Sequence, residues 1–260
     1  MILNFHLYGF LIGLGILSSA STSAWLARRR GLSPDLIWNG LWWVMVSALI
    51  GARLYHVADR WSDIYRLDPI STLYIWNGGL GIFGGLIGGF LGLWLYWRFR
   101  ISDFGFRISV KSLGDLAAFG LPLGQAVGRL GNLVNQEVYG LPTNLPWGIY
   151  ISPENRLPEF VNFNRFHPLF AYEALWSLLG FALMMSSEKL HKDFLLQIRR
   201  SFAGFYLVWY GLGRFALDFL RPADFAWFAG NINLAQLFSL ILIAAGLLIW
   251  NKSPLITGNR

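Results

Sequence analysis

Leu7-Tyr8-Gly9-Phe10-Leu11-Ile12-Gly13-Leu14-Gly15-Ile16-Leu17 opens an apolar run that continues to Leu26 and stops against the basic triplet Arg28-Arg29-Arg30. That junction decides the fold. About 20 helical residues cross the ~30 Å hydrocarbon core of a bilayer, so the run reads as a membrane span with a cationic end held on one side. No Lys or Arg precedes it, the wrong order for a cleaved secretion signal. Working outward, six further apolar segments follow, giving expected spans at about 7–26, 37–57, 72–97, 113–127, 168–187, 203–220 and 232–250. The fourth is short.

Composition agrees. The chain is 55% hydrophobic and 13% charged, where a soluble domain carries about 25% charged residues. With 13 Trp and 21 Phe, aromatic belts at both membrane interfaces are expected. The absence of cysteine excludes a disulfide framework, a thiolate metal site and a Cys nucleophile belonging to this chain. His6, His56, His167 and His191 are scattered without metal-ligand spacing such as HExxH.

The net charge of +7 invites a nucleic-acid reading, which its placement refuses. Alternating sides from the triplet, one side collects Arg28, Arg29, Arg30, Arg98, Arg100, Arg107, Lys111, Lys189, Lys192, Arg199, Arg200, Lys252 and Arg260. The other holds only Arg60, Arg66, Arg129, Arg156, Arg165 and Arg221. By the positive-inside rule the first side is cytoplasmic, with the N-terminus outside and the C-terminus inside. The expected fold is an all-α integral membrane protein of seven helices with a small extracytoplasmic head over about 128–167.

On the outer side, the loop at about 58–71 carries Asp59, Trp61, Asp63, Tyr65 and Asp68 and reads as a short interfacial arm. The third span contains Gly81, Gly84, Gly85, Gly88 and Gly89, the small-residue spacing that lets helix backbones approach. Trp76-Asn77-Gly78-Gly79 before it suits an irregular segment.

The chemistry concentrates in Gly128-Arg129-Leu130-Gly131-Asn132-Leu133-Val134-Asn135-Gln136-Glu137-Val138-Tyr139-Gly140. A cation, amides and a carboxylate among glycines are costly at a bilayer unless paired, so this is a candidate polar site at the outer membrane edge. Arg53, Glu173, Arg214 and Asp218 also fall within apolar spans, where ionisable residues are functional candidates by default. Arg214 and Asp218 stand at i, i+4 on one helical face, and Arg221 extends that face. With Arg129 they suggest a pocket whose planar guanidinium forks match phosphate oxygens. The competing reading of Arg214 and Asp218 is a structural ion pair. Arg53 has snorkelling as its alternative, Tyr8 an interfacial belt role, and His167 with Glu173 a tie between helix end and head.

These blocks together resemble the prolipoprotein diacylglyceryl transferases. The likeness runs through Leu7-Tyr8-Gly9, Gly51-Ala52-Arg53-Leu54, Trp76-Asn77-Gly78-Gly79 with Gly84-Gly85, the Gly128–Gly140 motif, His167-Pro168 with Tyr172-Glu173, and Gly213-Arg214-Phe215 through Asp218, Phe219 and Arg221. It implies transfer of the diacylglyceryl group of phosphatidylglycerol to the lipobox cysteine of a preprolipoprotein in the bacterial cytoplasmic (inner) membrane. Membrane lipids and the lipobox segment are the implied partners, no metal or cofactor is implied, and nothing demands more than a monomer. The resemblance gives Arg129 and Arg214 the phosphate. It gives Asn132, Asn135 and Glu137 the glycerol headgroup, Gly140 a close backbone passage and Tyr8 the pocket wall; Arg53, His167, Asp218 and Arg221 complete the substrate-binding set.

There are two departures. Phe83 stands where many members carry histidine, a natural general base, so the thiol proton falls to Glu137, Asp218, His167 or an arginine-rich field that lowers the thiol pKa. Asp218 stands where a longer Glu is expected. A non-catalytic relative that binds phospholipid or signal peptides is the alternative, with Phe83 as its symptom. A transporter or channel is a third, against which stands the lack of inverted repeats and paired broken helices; a lipid scramblase is an alternative that this pattern does not address.

Overall fold

The computed structural model describes residues 2–101, 108–189, 198, 201–225, 228–229 and 232–251. His191, Arg107, Lys192, Arg199, Arg200, Lys252 and Arg260 lie outside the described residues, as does the side chain of His6. Helices dominate: α1 (Ile2–Arg29), α2 (Asp35–Asp59), α3 (Ile82–Phe99), α4 (Val110–Asn135), α5 (Leu169–Lys189), α6 (Phe202–Asp218) and α7 (Leu234–Asn251). Five of these, in α1, α2, α3, α5 and α7, are long and apolar enough to cross a membrane. Their outward residues are apolar, as a lipid solvent requires: Phe90 is 74% exposed and Leu175 64%.

Two boundaries depart from expectation. The third span begins at Ile82 instead of near 72, because Pro69–Leu73 and Ile75–Asn77 are short 3-10 turns and Gly78 and Gly79 then take φ of +84° and +75°. Only glycine adopts such angles without strain. The fourth helix runs well past 127, through Pro122 to Asn135, so the Gly128–Asn135 part of the polar motif is helical rather than loop.

The chain forms two compact units, Ala24–Leu113 and the remainder. In the first, α2 and α3 pair backbone to backbone. The seam on α3 is Gly84, Gly88 and Gly92, each so close to α2 that a Cβ would meet the backbone of Gly51, Ser47 or Trp43. Of the anticipated glycine pairs, Gly84–Gly88 forms this seam; Gly85 and Gly89 make ordinary contact with Ala52 and Val44, and Gly81 precedes the helix. Arg53, buried on α2, spends its guanidinium on backbone carbonyls: Nε donates to Thr72 (2.8 Å), Nη1 to Gly78 (2.8 Å) and Gly79 (3.0 Å), Nη2 to Ser71 (2.6 Å) and Tyr74 (3.3 Å). These bonds pin the 71–79 segment to α2. Arg53→Ala therefore costs about 3 kcal/mol through orphaned acceptors, and faster hydrogen exchange across residues 71–79 is the measurement that checks it. His56 Nδ1 and the Tyr65 hydroxyl, 3.0 Å apart, brace the same segment.

In the second unit, α6 lies along α7 and packs on α5. Its N-terminus is capped twice: Ser201 Oγ accepts from Gly204 N (3.0 Å), and Asp115 Oδ1 accepts from both Ser201 Oγ (2.9 Å) and Ala203 N (2.8 Å). These bonds satisfy helix N–H groups that have no intrahelical partner. Phe119, Phe202 and Met184 fill the core here, with the Phe119 and Phe202 rings 4.8 Å apart. Between α4 and α5, β1 (Ile149–Tyr150) pairs antiparallel with β2 (Arg165–Phe166). This segment has its own small core of Tyr139, Ile151 and Phe166. The Tyr139 hydroxyl donates to Asn155 O (2.9 Å) and accepts from Leu157 N (2.8 Å); burial pushes the phenol's pKa up.

Candidate active site

The last two turns of α4, the first turns of α5 and the end of α6 converge on Glu173. Arg129 from α4 pairs through Nη2 with Glu173 Oε2. Arg221, just beyond α6, donates from Nη2 to Oε1 at 2.9 Å, and Arg214 Nη1 lies 3.8 Å from the same oxygen. Asp218 forms a second centre: its Oδ1 meets Arg214 Nη2 at 3.1 Å and Arg221 Nε at 3.3 Å. Three guanidinium groups thus face two carboxylates, leaving one net positive charge. Glu173 and Asp218 are buried, where charges must be paired. The expected i, i+4 pair is present, but as part of a five-residue network rather than alone.

A cleft opens beside this network, lined by Arg129, Glu173, Arg214, Trp176 and Tyr210 among others. Its walls are set by helix packing. The Trp176 and Trp209 rings stack with centroids 4.1 Å apart, and each indole N–H donates to the other residue's backbone carbonyl at 2.9 Å. This reciprocal clasp fixes α5 against α6 and so fixes the spacing of Glu173 from Arg214.

Away from the carboxylates, Arg129 Nη1 donates to Asn132 Oδ1 (3.3 Å), whose Nδ2 donates to Glu137 Oε1 (3.0 Å); Asn135 Nδ2 reaches the same oxygen at 3.4 Å. Glu137 sits in a turn whose flanking residues, Gln136 and Val138, both have positive φ (52° and 55°). For a β-branched residue that is a strained backbone. The Gln136 side chain holds the turn by accepting from Ser152 N at 2.7 Å. The Tyr8 ring packs over Gly131, where a Cβ would come within 2.7 Å of it.

Gly140 is needed for close approach of the chain to itself: a Cβ there would lie 2.8 Å from Leu220 O, while its N–H donates to His167 O (2.8 Å). His167 Nδ1 lies 3.2 Å from the Tyr172 hydroxyl, which also accepts from Trp147 Nε1 (2.8 Å). Arg129, Asn132, Asn135, Glu137, Arg214, Asp218 and Arg221 are therefore joined through hydrogen bonds and ion pairs, whereas Arg53 is committed within the other unit. Sequence reasoning underrated Glu173, the hub, and overlooked Asn233, whose Nδ2 donates to Asp218 Oδ2. The signal for Glu173 was its place in an apolar span; for Asn233 there was none beyond its position before a helix.

Known proteins resemble this chain over nearly its whole length. Residues 1–251 match the family model described as prolipoprotein diacylglyceryl transferase. A phosphatidylglycerol–prolipoprotein diacylglyceryl transferase of Nostoc sp. is 39% identical over 95% of this chain and 87% of its own length. Proteins of the same name from Synechococcus elongatus and Halalkalibacterium halodurans are 37% and 36% identical, over 95% and 94% of this chain and 84% and 80% of theirs. The chain, a multi-pass membrane protein by its long apolar helices, therefore belongs to the prolipoprotein diacylglyceryl transferase family.

Proposed function

We propose that this protein transfers the diacylglyceryl group of phosphatidylglycerol to the lipobox cysteine thiol of preprolipoproteins, forming a thioether and releasing glycerol phosphate. The observation that carries the proposal is the convergence of Arg129, Arg214 and Arg221 on Glu173 beside a cleft, in a chain that matches the family nearly end to end. Sulfur attacks the glycerol carbon, a C–S bond forms, and the C–O bond to phosphate breaks with its electron pair leaving on the phosphate. Negative charge grows on that oxygen, so preorganised cations there lower the barrier. Arg129 and Arg214 take this role, with Asn132, Asn135 and Tyr8 around the headgroup.

The thiol proton goes to Glu137. Asp218 is buried and held by two arginines and Asn233, and His167 is engaged with Tyr172. Glu137 receives both amides on one oxygen, Oε1, leaving a carboxylate edge for a proton. Glu137→Gln should lower transfer about 100-fold near neutrality. Its rate should then climb as pH rises toward the ordinary thiol range, about 8.5, because solvent takes over the deprotonation. A variant profile parallel to that of the parent protein rules Glu137 out as the base.

The wider arrangement belongs to the same proposal: seven spans, the 136–168 segment outside, the N-terminus outside and a monomer in the bacterial inner membrane. It is supported by the charge asymmetry of the loops and by the length of α4, 26 residues, or about 39 Å at 1.5 Å per residue. The test is direct. Purified protein receives phosphatidylglycerol vesicles and a lipobox peptide, and mass spectrometry reads the diacylglyceryl mass on cysteine. Product from the parent but not from Arg129→Ala supports the proposal; no product despite binding of phosphatidylglycerol overturns it in favour of a non-catalytic lipid binder.

A further inference from the structure

Asn233 uses both ends of its amide. Its Oδ1 accepts from Ala235 N (2.9 Å) and Gln236 N (3.3 Å), capping α7, while its Nδ2 donates to Asp218 Oδ2. The Asp218 side chain is fully buried, and its other oxygen, Oδ1, faces both Arg214 and Arg221. We propose that Asn233 is a positioning residue for the phosphate-binding Arg214: by holding Oδ2 it fixes the rotation of the Asp218 carboxylate, which gathers Arg214 and its neighbour Arg221 on Oδ1. The inference rests on the transferase reading above.

The chemistry is restrictive. A carboxylate at position 233 accepts but cannot donate, and a serine hydroxyl is too short to cap the helix and reach Asp218 at once. At neutral pH the amide of Asn233 accepts on one side and donates on the other, and it is short enough to cap a helix N-terminus well. Without the donor, Asp218 Oδ2 is a buried acceptor with no partner, and the carboxylate gains rotational freedom that it passes to both guanidinium groups. The groups facing Asp218 are Arg214 on its own helix, Arg221 just beyond it and Asn233 ahead of α7, with Glu173 of α5 sharing both arginines.

Two variants separate positioning from simple support. Asn233→Ser keeps a capping oxygen, so its melting temperature should stay within a few degrees of the parent. Its kcat should nevertheless fall about 10- to 100-fold, the value of a hydrogen bond to a charged group. Asn233→Asp keeps the cap but sets two carboxyl groups against each other. One shared proton restores the bond between them, so the ratio of variant to parent rate should rise as pH falls from 8 to 5.5. Unchanged kcat in Asn233→Ser, or a pH-independent ratio in Asn233→Asp, overturns the inference. So does a loss of kcat that is wholly matched by loss of folded protein. Glycerol phosphate affinity of the same proteins, measured by calorimetry, keeps the two proposals apart. If the parent binds glycerol phosphate but transfers nothing, the transferase reading falls. The inference about Asn233 is then decided by that affinity: weakened in Asn233→Ser it stands, unchanged it fails.

Discussion

Replacing Arg214 with alanine lowers diacylglyceryl transfer by about 10³-fold, the scale on which one preorganised electrostatic contact to a developing anion acts. Arg214 lines the cleft and is held from both sides, 3.1 Å from Asp218 and 3.8 Å from Glu173, so its guanidinium is already aimed before any phosphate arrives. Arg129→Ala should do the same. Arg129→Lys should recover only part of the rate, because an ammonium is a point charge without the two-point fork. Single-turnover transfer from phosphatidylglycerol to a lipobox peptide measures each effect. The variants should still insert and purify, since each leaves two arginines to neutralise Glu173. Normal turnover in either alanine variant defeats the phosphate assignment.

The largest loss of stability belongs to Glu173→Ala. Its carboxylate, with a side chain only 10% exposed, is the shared counter-ion of three arginines. Removing one member of a buried ion network leaves uncompensated charge and costs about 3–5 kcal/mol. Here the remaining guanidinium groups also repel one another. A drop in melting temperature in detergent checks this, and inorganic phosphate should restore part of it by supplying the missing negative charge in proportion to its binding. Unaltered melting in Glu173→Ala shows that the network contributes nothing net to the fold.

Much of the architecture was legible before any coordinates. Apolar runs of spanning length mark α1, α2, α3, α5 and α7, since a helix that faces lipid cannot hide polar residues. The third-span glycines marked a close helix contact, though only one of the two possible stripes, Gly84–Gly88–Gly92, is the seam. The helix period alone cannot say which stripe faces a neighbour. The boundary near 72 misled because Leu73, Tyr74, Ile75 and Trp76 read as apolar span, while backbone geometry at Gly78 and Gly79 delays the helix to Ile82.

At the site, local spacing determined the pair Arg214 and Asp218, because residues four apart on a helix are neighbours whatever surrounds them. The sequence also marked Arg129, Asn132, Asn135 and Glu137 as polar groups too costly to leave unpaired in a membrane. Their bonds to one another are local, two to five residues apart, and only tertiary structure decided the long-range pairings. Arg221 reaches Glu173 across 48 residues of chain, Arg53 is consumed by five carbonyl contacts on a distant turn, and Asn233 joins the start of one helix to a carboxylate at the end of another. The composition of a span states that a buried charge needs a partner; which partner it finds depends on how helices far apart in sequence come to lie side by side.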